Sequence, residues 1–453
     1  MKKVNEENKY FIGKCVDFTH DGQGVVRINN KATFVPSLLI GEEAEIEILY
    51  RKKDFDVGKI HKLITPSPFR IKPKCGCATS CGGCVFQNLD YQKELEYKKE
   101  VATNILNKIG KFSFKDIPIT GMEEPYYYRN KIQIPFGKDK QNRLVYGFYK
   151  FKSHDIVPIT ECVIEDKVHV NILKTLKELM LSFKLEPYDE DTGYGLLRHC
   201  LIRTGKVSKE TMVVLVLTNK NFKGKNNFVK AFKNSLPEVK TLVFNENPRK
   251  TNVILGNFES VEYGPGFIYD FLLGVKFKIS SKSFYQINHD QCEVLYSKAI
   301  SFAQLSITDT ILDAYCGIGT IGLIASKYVD KVYGVEIVKE AIIDAKENAK
   351  INNIKNVFFE CKGASEYTLS NKFDVIFVDP PRKGLDEAFI EALLASSPKK
   401  IVYISCNVST LARDLVILKD KYNVDKIEFV DMFPRTYHVE TVVNLILRKL
   451  CLN

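Results

Sequence analysis

The stretch Asp313-Ala314-Tyr315-Cys316-Gly317-Ile318-Gly319-Thr320-Ile321-Gly322 reads as the end of a buried strand, a glycine-rich turn and the first turn of a helix. Glycines in such a turn let a ligand approach the backbone closely, and the helix amino terminus adds partial positive charge. Working outward, β-rich runs at 310–314, 331–337, 357–360, 374–378 and 400–405 alternate with helical spacing, and two more β-rich segments follow at 427–433 and 439–448. Strict alternation predicts a doubly wound α/β sheet with its ligand at the carboxyl ends of the strands.

Glu336, in Val335-Glu336-Ile337, ends the second strand, where a ribose-binding acid belongs in such a fold. The turn is read as lacking the G-x-G-x-x-G spacing of NAD enzymes, and no Lys-Ser/Thr pair completes a phosphate loop, so S-adenosylmethionine, which carries no phosphate, fits best. An ordinary turn with Glu336 as a surface acid is the bland alternative. The fourth strand ends in Asp379-Pro380-Pro381-Arg382-Lys383-Gly384. In amino-group methyltransferases the residue after Pro-Pro is an aromatic that stacks on the target base. Arg382 stands there instead, which argues against an exocyclic nitrogen as target.

Ser405-Cys406-Asn407 follows the fifth strand at the same edge as Glu336 and Asp379. A cysteine beside a helix start is where a thiolate can be stabilised and can reach a bound base. Pyrimidine C5 is not nucleophilic by itself. Thiolate addition to C6 creates the C5 enolate equivalent, which takes a methyl cation from a sulfonium; a base then removes the C5 proton before the enzyme is eliminated. Glu440, in Tyr437-His438-Val439-Glu440-Thr441-Val442, heads the last strand and is the natural base. Cys316, inside the cofactor turn, reads as a packing residue. His438 and His199 read equally as supporting groups or structural histidines.

These four motifs occur in the order and spacing of the RNA 5-methyluridine (uracil-C5) methyltransferases. Tyr128-Arg129-Asn130-Lys131, Leu197-Arg198-His199 and Ser283-Phe284-Tyr285-Gln286-Ile287-Asn288 are similar to the same family, so the resemblance covers nearly the whole chain. It implies Cys406 as nucleophile, Glu440 as proton acceptor, and Gln286, Tyr315, Glu336 and Asp379 as contacts of S-adenosylmethionine. One departure stands after the third strand, where the family often has an acid against adenine and this chain reads Lys362-Gly363-Ala364-Ser365-Glu366.

Residues 9–62 alternate short β-rich runs with glycine-containing turns, about five strands that predict a small β-barrel of the oligonucleotide-binding kind. In order and position this part resembles a TRAM domain, an RNA-binding module. A proline-bearing linker follows from Thr65, then a helix from Tyr91 that ends at Gly110, then an α+β region over 117–285 with a helix near 168–183. The expected domains are a barrel over 1–64, a central α+β domain with a cysteine loop over 65–285, and a methyltransferase domain over 286–453.

The chain has 453 residues and twelve cysteines. No apolar segment follows the lysines of Met1 to Lys9, and no run of about 18 uncharged apolar residues occurs, so neither secretion nor membrane insertion is expected and the location is cytoplasmic. Clustered cysteines in a reducing compartment point to metal binding or catalysis. Cys75, Cys77, Cys81 and Cys84 form the one dense group, while others such as Cys292, Cys361 and Cys451 are scattered. Cys75-x5-Cys81-x2-Cys84, with Gly82-Gly83 between the last two, suits an iron cluster, with Cys162 as the distant fourth ligand. Methyltransferases with the amino-terminal barrel resemble this arrangement and hold a [4Fe-4S] cluster on those four residues. Zinc is the alternative, although paired CxxC knuckles are missing. Cys77-x3-Cys81-x2-Cys84 also equals the radical S-adenosylmethionine signature, but that chemistry calls for a (β/α) barrel after the loop. A non-catalytic iron-sulfur RNA-binding protein is a third class, disfavoured by the joint presence of Cys406, Asp379 and Glu440.

The net charge is +11, and Arg51 to Lys74 alone holds eight basic against two acidic residues, an excess of +6. That stretch is expected to contact RNA phosphates, with binding that weakens steeply in salt. Simpler transfer-RNA members of the family generally lack barrel and cluster, so the resemblance implies 23S ribosomal RNA, with tRNA uridine-54 as the alternative. No obligate protein partner is evident.

Overall fold

The computed structural model describes residues 9–150 and 153–448; the first lysines and Cys451 lie outside them. Strands Tyr10–Phe18, Gly24–Ile28, Lys31–Val35, Glu43–Arg51 and Phe55–Thr65 close into a barrel, with the fifth strand seated between the third and fourth. Period-two alternation turns Ala44, Ile46 and Ile48 inward onto Cys15, Val26 and Val35. The five-strand barrel is consistent with the TRAM-like expectation. The basic stretch lies half inside the barrel, from the end of the fourth strand through the fifth, and is partly neutralised from outside its own window. Lys59 Nζ lies 2.9 Å from Glu47, and Arg70 Nη2 lies 2.6 Å from the buried Glu42. A linear count cannot see pairs that form between strands.

The central layer is a seven-stranded sheet in the spatial order Phe258–Tyr263, Val239–Glu246, Thr211–Leu217, Leu197–Thr204, Lys131–Lys138, Leu144–Tyr149, Ile156–Pro158. Leu197–Thr204 and Thr211–Leu217 are buried along their whole length. Helices Val168–Ser182 and Lys225–Ser235 pack their apolar stripes on this sheet.

The C-terminal sheet has eight strands, in the order Val357–Cys361, Lys331–Glu336, Thr310–Ala314, Val375–Val378, Lys400–Ser405, Glu440–Leu447, Tyr422–Val430, Ile119–Thr120. The first five are parallel, and Glu440–Leu447 inserts antiparallel beside the fifth. The order reverses between Thr310–Ala314 and Val375–Val378, which opens a crevice at the carboxyl edge. This is the expected α/β methyltransferase architecture.

The last strand comes from far upstream. Ile119 and Thr120 pair in parallel with Phe429 and Val430. The preceding helix, Tyr91–Gly110, packs Ala102 and Leu106 into the same core as Leu411 and Leu415 of helix Val408–Leu418. Asp90 caps the helix by accepting from the N–H groups of Gln92 and Lys93. Gly110 is the last helical residue, not the left-handed cap, which is Lys111 with φ 54°. Glycine is needed at 110 because a Cβ there would sit 2.6 Å from the Phe112 ring. No helix among the described residues is long and apolar enough to cross a membrane.

Candidate active site

Register assembles the site. Ala314 pairs with Val335 and Val378, and Val378 with Tyr403, so Tyr315, Glu336, Asp379 and Cys406 emerge at one edge of the sheet. The antiparallel pairing of Ser405 with Thr441 brings Glu440 to that edge, next to Cys406.

The turn after Ala314 carries three left-handed residues, Tyr315 (φ 64°), Gly317 (φ 53°) and Gly319 (φ 82°). Asp313 holds it from below, its Oδ2 accepting the Gly322 N–H at 2.7 Å. A Cβ on Gly319 would lie 2.5 Å from the Phe359 ring, whereas nothing lies within 4 Å of one on Gly317. Gly319 therefore serves packing, and Gly317 leaves the backbone open to a ligand. The Tyr315 ring stands edge-on to Phe389 at 5.6 Å. Cys316 is buried in the core, a packing position.

The expectation that the turn lacks the dinucleotide spacing is corrected: Gly317, Gly319 and Gly322 are spaced G-x-G-x-x-G, which would equally suit a dinucleotide. The field separates the possibilities. Burial pushes Asp313 up to about 7, opposed by the Gly322 N–H and reinforced by Asp379 and Glu336. Burial also pushes the half-buried Asp379 up to about 7. Glu440 is pushed up to about 8 by burial and by Asp379, with Arg382 opposing. Once ionised, these three carboxyls repel a pyrophosphate and attract a cation, which S-adenosylmethionine supplies as sulfonium.

Gln286 is nearly buried ahead of helix His289–Ala303, and its carbonyl accepts from Asn130 Nδ2 at 3.0 Å. Arg129 bridges to Asn288, so two motifs far apart in sequence meet here. Glu336 Oε1 accepts from the N–H groups of Ile337 and Val338. Cys406 is half-buried; burial, then Glu440 and Asp379, push its thiol up to about 11, while Arg382 opposes them. His199 lies in the central sheet, and Arg198 ties down a loop through the carbonyls of Asn247 and Arg249 at 3.0 and 2.7 Å.

The family described as tRNA (uracil-5-)-methyltransferase matches residues 273–372 and 369–449. An RNA methyltransferase of Staphylococcus aureus is 44% identical over 442 residues, covering 96% of this chain and 98% of that protein. One from Halalkalibacterium halodurans is 41% identical over 439 residues, covering 95% and 96%. The chain belongs to the tRNA (uracil-5-)-methyltransferase family. Among solved structures, tRNA (uracil-54, C5)-methyltransferase of Pyrococcus abyssi, in complex with S-adenosyl-L-homocysteine, superposes with a TM-score of 0.80 at 30% identity, covering 96% of this chain and all of that one. The chain is thus an S-adenosylmethionine-dependent RNA methyltransferase of the uracil-5 family.

In this uracil-5 methyltransferase a pocket of about 240 Å³ opens beside Cys406. Arg382, Asn407 and His438 line it together with His20, Tyr97 and Lys98. The barrel thus contributes to the pocket directly, its turn anchored where Tyr97 donates its hydroxyl to the Thr19 carbonyl at 2.8 Å. His20 and Tyr97 carry no sequence signal, since only the docking of barrel on helix places them. Segment 431–438, which leads to Glu440, is held from below. Glu94 accepts from the Arg435 N–H at 2.7 Å and pairs with Lys98, and the Arg435 carbonyl accepts from Val85 and Phe86.

The methyltransferase's cysteine loop lies just upstream of Val85. Cys75, Cys84 and Cys162 are half-buried around Tyr126, Tyr128, Val163 and Ile164. Cys81 Sγ accepts the Gly83 N–H at 3.4 Å, and Cys84 Sγ accepts from Gln87 Nε2 at 3.5 Å. Cys77 instead directs its thiol to the Pro158 carbonyl at 3.5 Å. Among the described residues no three His, Cys, Asp or Glu side chains stand at metal-binding spacing.

Proposed function

We propose that this enzyme methylates C5 of a uridine in 23S ribosomal RNA, with Cys406 as nucleophile and Glu440 as the acceptor of the C5 proton. The observation that carries the reading is the pairing of Ser405 with Thr441, which sets a thiol and a buried carboxyl side by side at the cofactor edge and next to an open pocket. Gln286, Tyr315, Glu336 and Asp379 would hold S-adenosylmethionine, which supplies a methyl cation when bound. The target uridine flips into the pocket, Cys406 adds to C6, and Glu440 removes the C5 proton so that the thiolate can leave. Two assays test this. Absence of 5-methyluridine after incubating the protein with labelled cofactor and bulk RNA refutes the activity. A covalent adduct with 5-fluorouridine RNA that persists in Cys406→Ala refutes the nucleophile.

A second reading, tRNA uridine-54, has its own support, because the Pyrococcus abyssi tRNA enzyme is matched over its whole length. Mapping 5-methyluridine in 23S and transfer RNA from cells lacking the chain separates the two.

We further propose a [4Fe-4S] cluster on Cys75, Cys81, Cys84 and Cys162. Cys75, Cys84 and Cys162 share one half-buried cluster, and Cys81 and Cys84 accept N–H hydrogen bonds, so the four supply soft thiol donors of the kind iron takes. There it would cross-link the loop to the connection between strand Ile156–Pro158 and helix Val168–Ser182, where Cys162 lies. The bond of Cys77 to the Pro158 carbonyl, and its absence from the cluster that holds Cys75, Cys84 and Cys162, support Cys75 as first ligand. Loss of iron and sulfide in Cys75→Ser but not in Cys77→Ser is expected; the reverse overturns the ligand set and favours the radical signature.

A further inference from the structure

The proposed chemistry asks Cys406 to lose a proton and Glu440 to accept one, yet each opposes the other's charge and Asp379 opposes both. The site needs a cation of its own. Lys98, in the pocket wall, is already paired with Glu94 and Asp431. Arg382 has no carboxylate partner among the described residues, and it lines the same pocket as Cys406. Its Nη2 lies 3.4 Å from Nε2 of His438, two residues before Glu440. Its carbonyl accepts from Asn407 Nδ2 at 3.0 Å and Thr410 Oγ1 at 3.3 Å, so Arg382 is tied to the helix that begins directly after Cys406. Burial, Arg382 and Lys98 push His438 down to about 4, leaving a neutral ring whose Nε2 can accept from the guanidinium. Arg382 also occupies the position after Pro380-Pro381, where amino-group methyltransferases present the group that faces the target base.

We propose that Arg382 is a catalytic residue, whose guanidinium pairs with the Cys406 thiolate before attack and then donates an N–H to O4 of the pyrimidine as negative charge develops there. The proposal rests on the covalent mechanism above. When the sulfur pair forms the S–C6 bond, the C5=C6 pair shifts to C4=C5 and the carbonyl pair moves onto O4. The C4=C5 pair then attacks the methyl carbon as its bond to the sulfonium sulfur breaks, that pair leaving on sulfur as S-adenosylhomocysteine, and the C4 carbonyl re-forms. Glu440 then removes the C5 proton, C5=C6 returns, and the S–C6 pair leaves on sulfur. The Cys406 proton leaves to solvent through the open pocket before attack, and Arg382 stays protonated throughout.

The test compares full-length wild type with Arg382→Gln and Arg382→Lys. Iodoacetamide alkylation of the Cys406 peptide, followed by mass spectrometry across pH without RNA, is expected to slow about tenfold near neutral pH in the Gln variant, with partial rescue by Lys. Adduct formation on 5-fluorouridine-substituted 23S and transfer-RNA transcripts is expected to slow by about 10²–10³-fold in the Gln variant. S-adenosylhomocysteine binding should stay unchanged and serves as the folding control; the Lys variant keeps the test open should Gln fail to fold. An alkylation profile superimposable on wild type, or adduct formation at the wild-type rate, overturns the proposal. Failure of wild type itself to form adduct refutes the covalent mechanism instead, and the alkylation profile distinguishes the two failures.

Discussion

Lys98 Nζ lies 2.7 Å from Asp431 Oδ1, with neither side chain exposed to solvent, although 333 positions separate them. The same nitrogen reaches Glu94 at 2.7 Å, and the Tyr91 hydroxyl donates to the other Asp431 oxygen at 2.8 Å. Removing one member of a buried charge set strands the rest, at a cost of about 3–5 kcal/mol. Lys98→Met should lower stability by that amount in urea unfolding, and a loss of about 1 kcal/mol or less would show the set to be solvated.

Glu440→Gln keeps the carbonyl shape and removes the proton acceptor. Adduct should form and persist, so that a protein–RNA species accumulates on denaturing gels, while turnover falls by about 10²–10⁴-fold. Adduct that resolves at the wild-type rate would assign the base elsewhere.

Asp313, Asp379 and Glu440 hold their protons to about 7, 7 and 8 in the folded chain, against 3.8, 3.8 and 4.5 ordinarily. Across that window the folded state binds more protons than the unfolded state, so these groups make stability fall as pH rises from about 4 to about 8. Cofactor affinity should move the other way. Calorimetry is expected to show S-adenosylmethionine gaining on S-adenosylhomocysteine, which lacks only the sulfonium charge, between about pH 6 and pH 8 as the carboxyls ionise. A pH-independent ratio would contradict the negative field.

Two glycines in one turn should respond differently. Gly317→Ala faces open space at φ 53° and should cost about 1–2 kcal/mol of stability, with a larger loss of cofactor binding. Gly319→Ala meets the Phe359 ring at φ 82° and should cost more, about 2–5 kcal/mol, from strain plus overpacking. Thermal unfolding and S-adenosylhomocysteine titration separate the two effects.

The parallel sheet was legible because strands buried on both faces read as apolar runs and its motifs fall at strand ends, where Cys406 and Glu440 also lie. The strand Ile119–Thr120 was not, since two residues have no period and only pairing with Phe429 and Val430 makes them a strand. Nor was the bond between Lys98 and Asp431, because helix spacing marks Lys98 as one more charge in a mixed run. The glycine spacing misleads, fitting a dinucleotide as well as a sulfonium, until the buried carboxyls are located in space. The basic stretch overstates its open charge because Glu42 and Glu47 come from outside it.

The upstream helix and its short strand mean that the catalytic half is not a detachable cassette. A fragment starting at residue 286 would bare the hydrogen-bonding edge at Phe429 and Val430 and leave Asp431 without its ammonium. Recombination that adds or removes a barrel must therefore break the chain upstream of Asp90, where the helix cap begins, and the strap from Tyr91 to Thr120 must travel with the methyltransferase sheet.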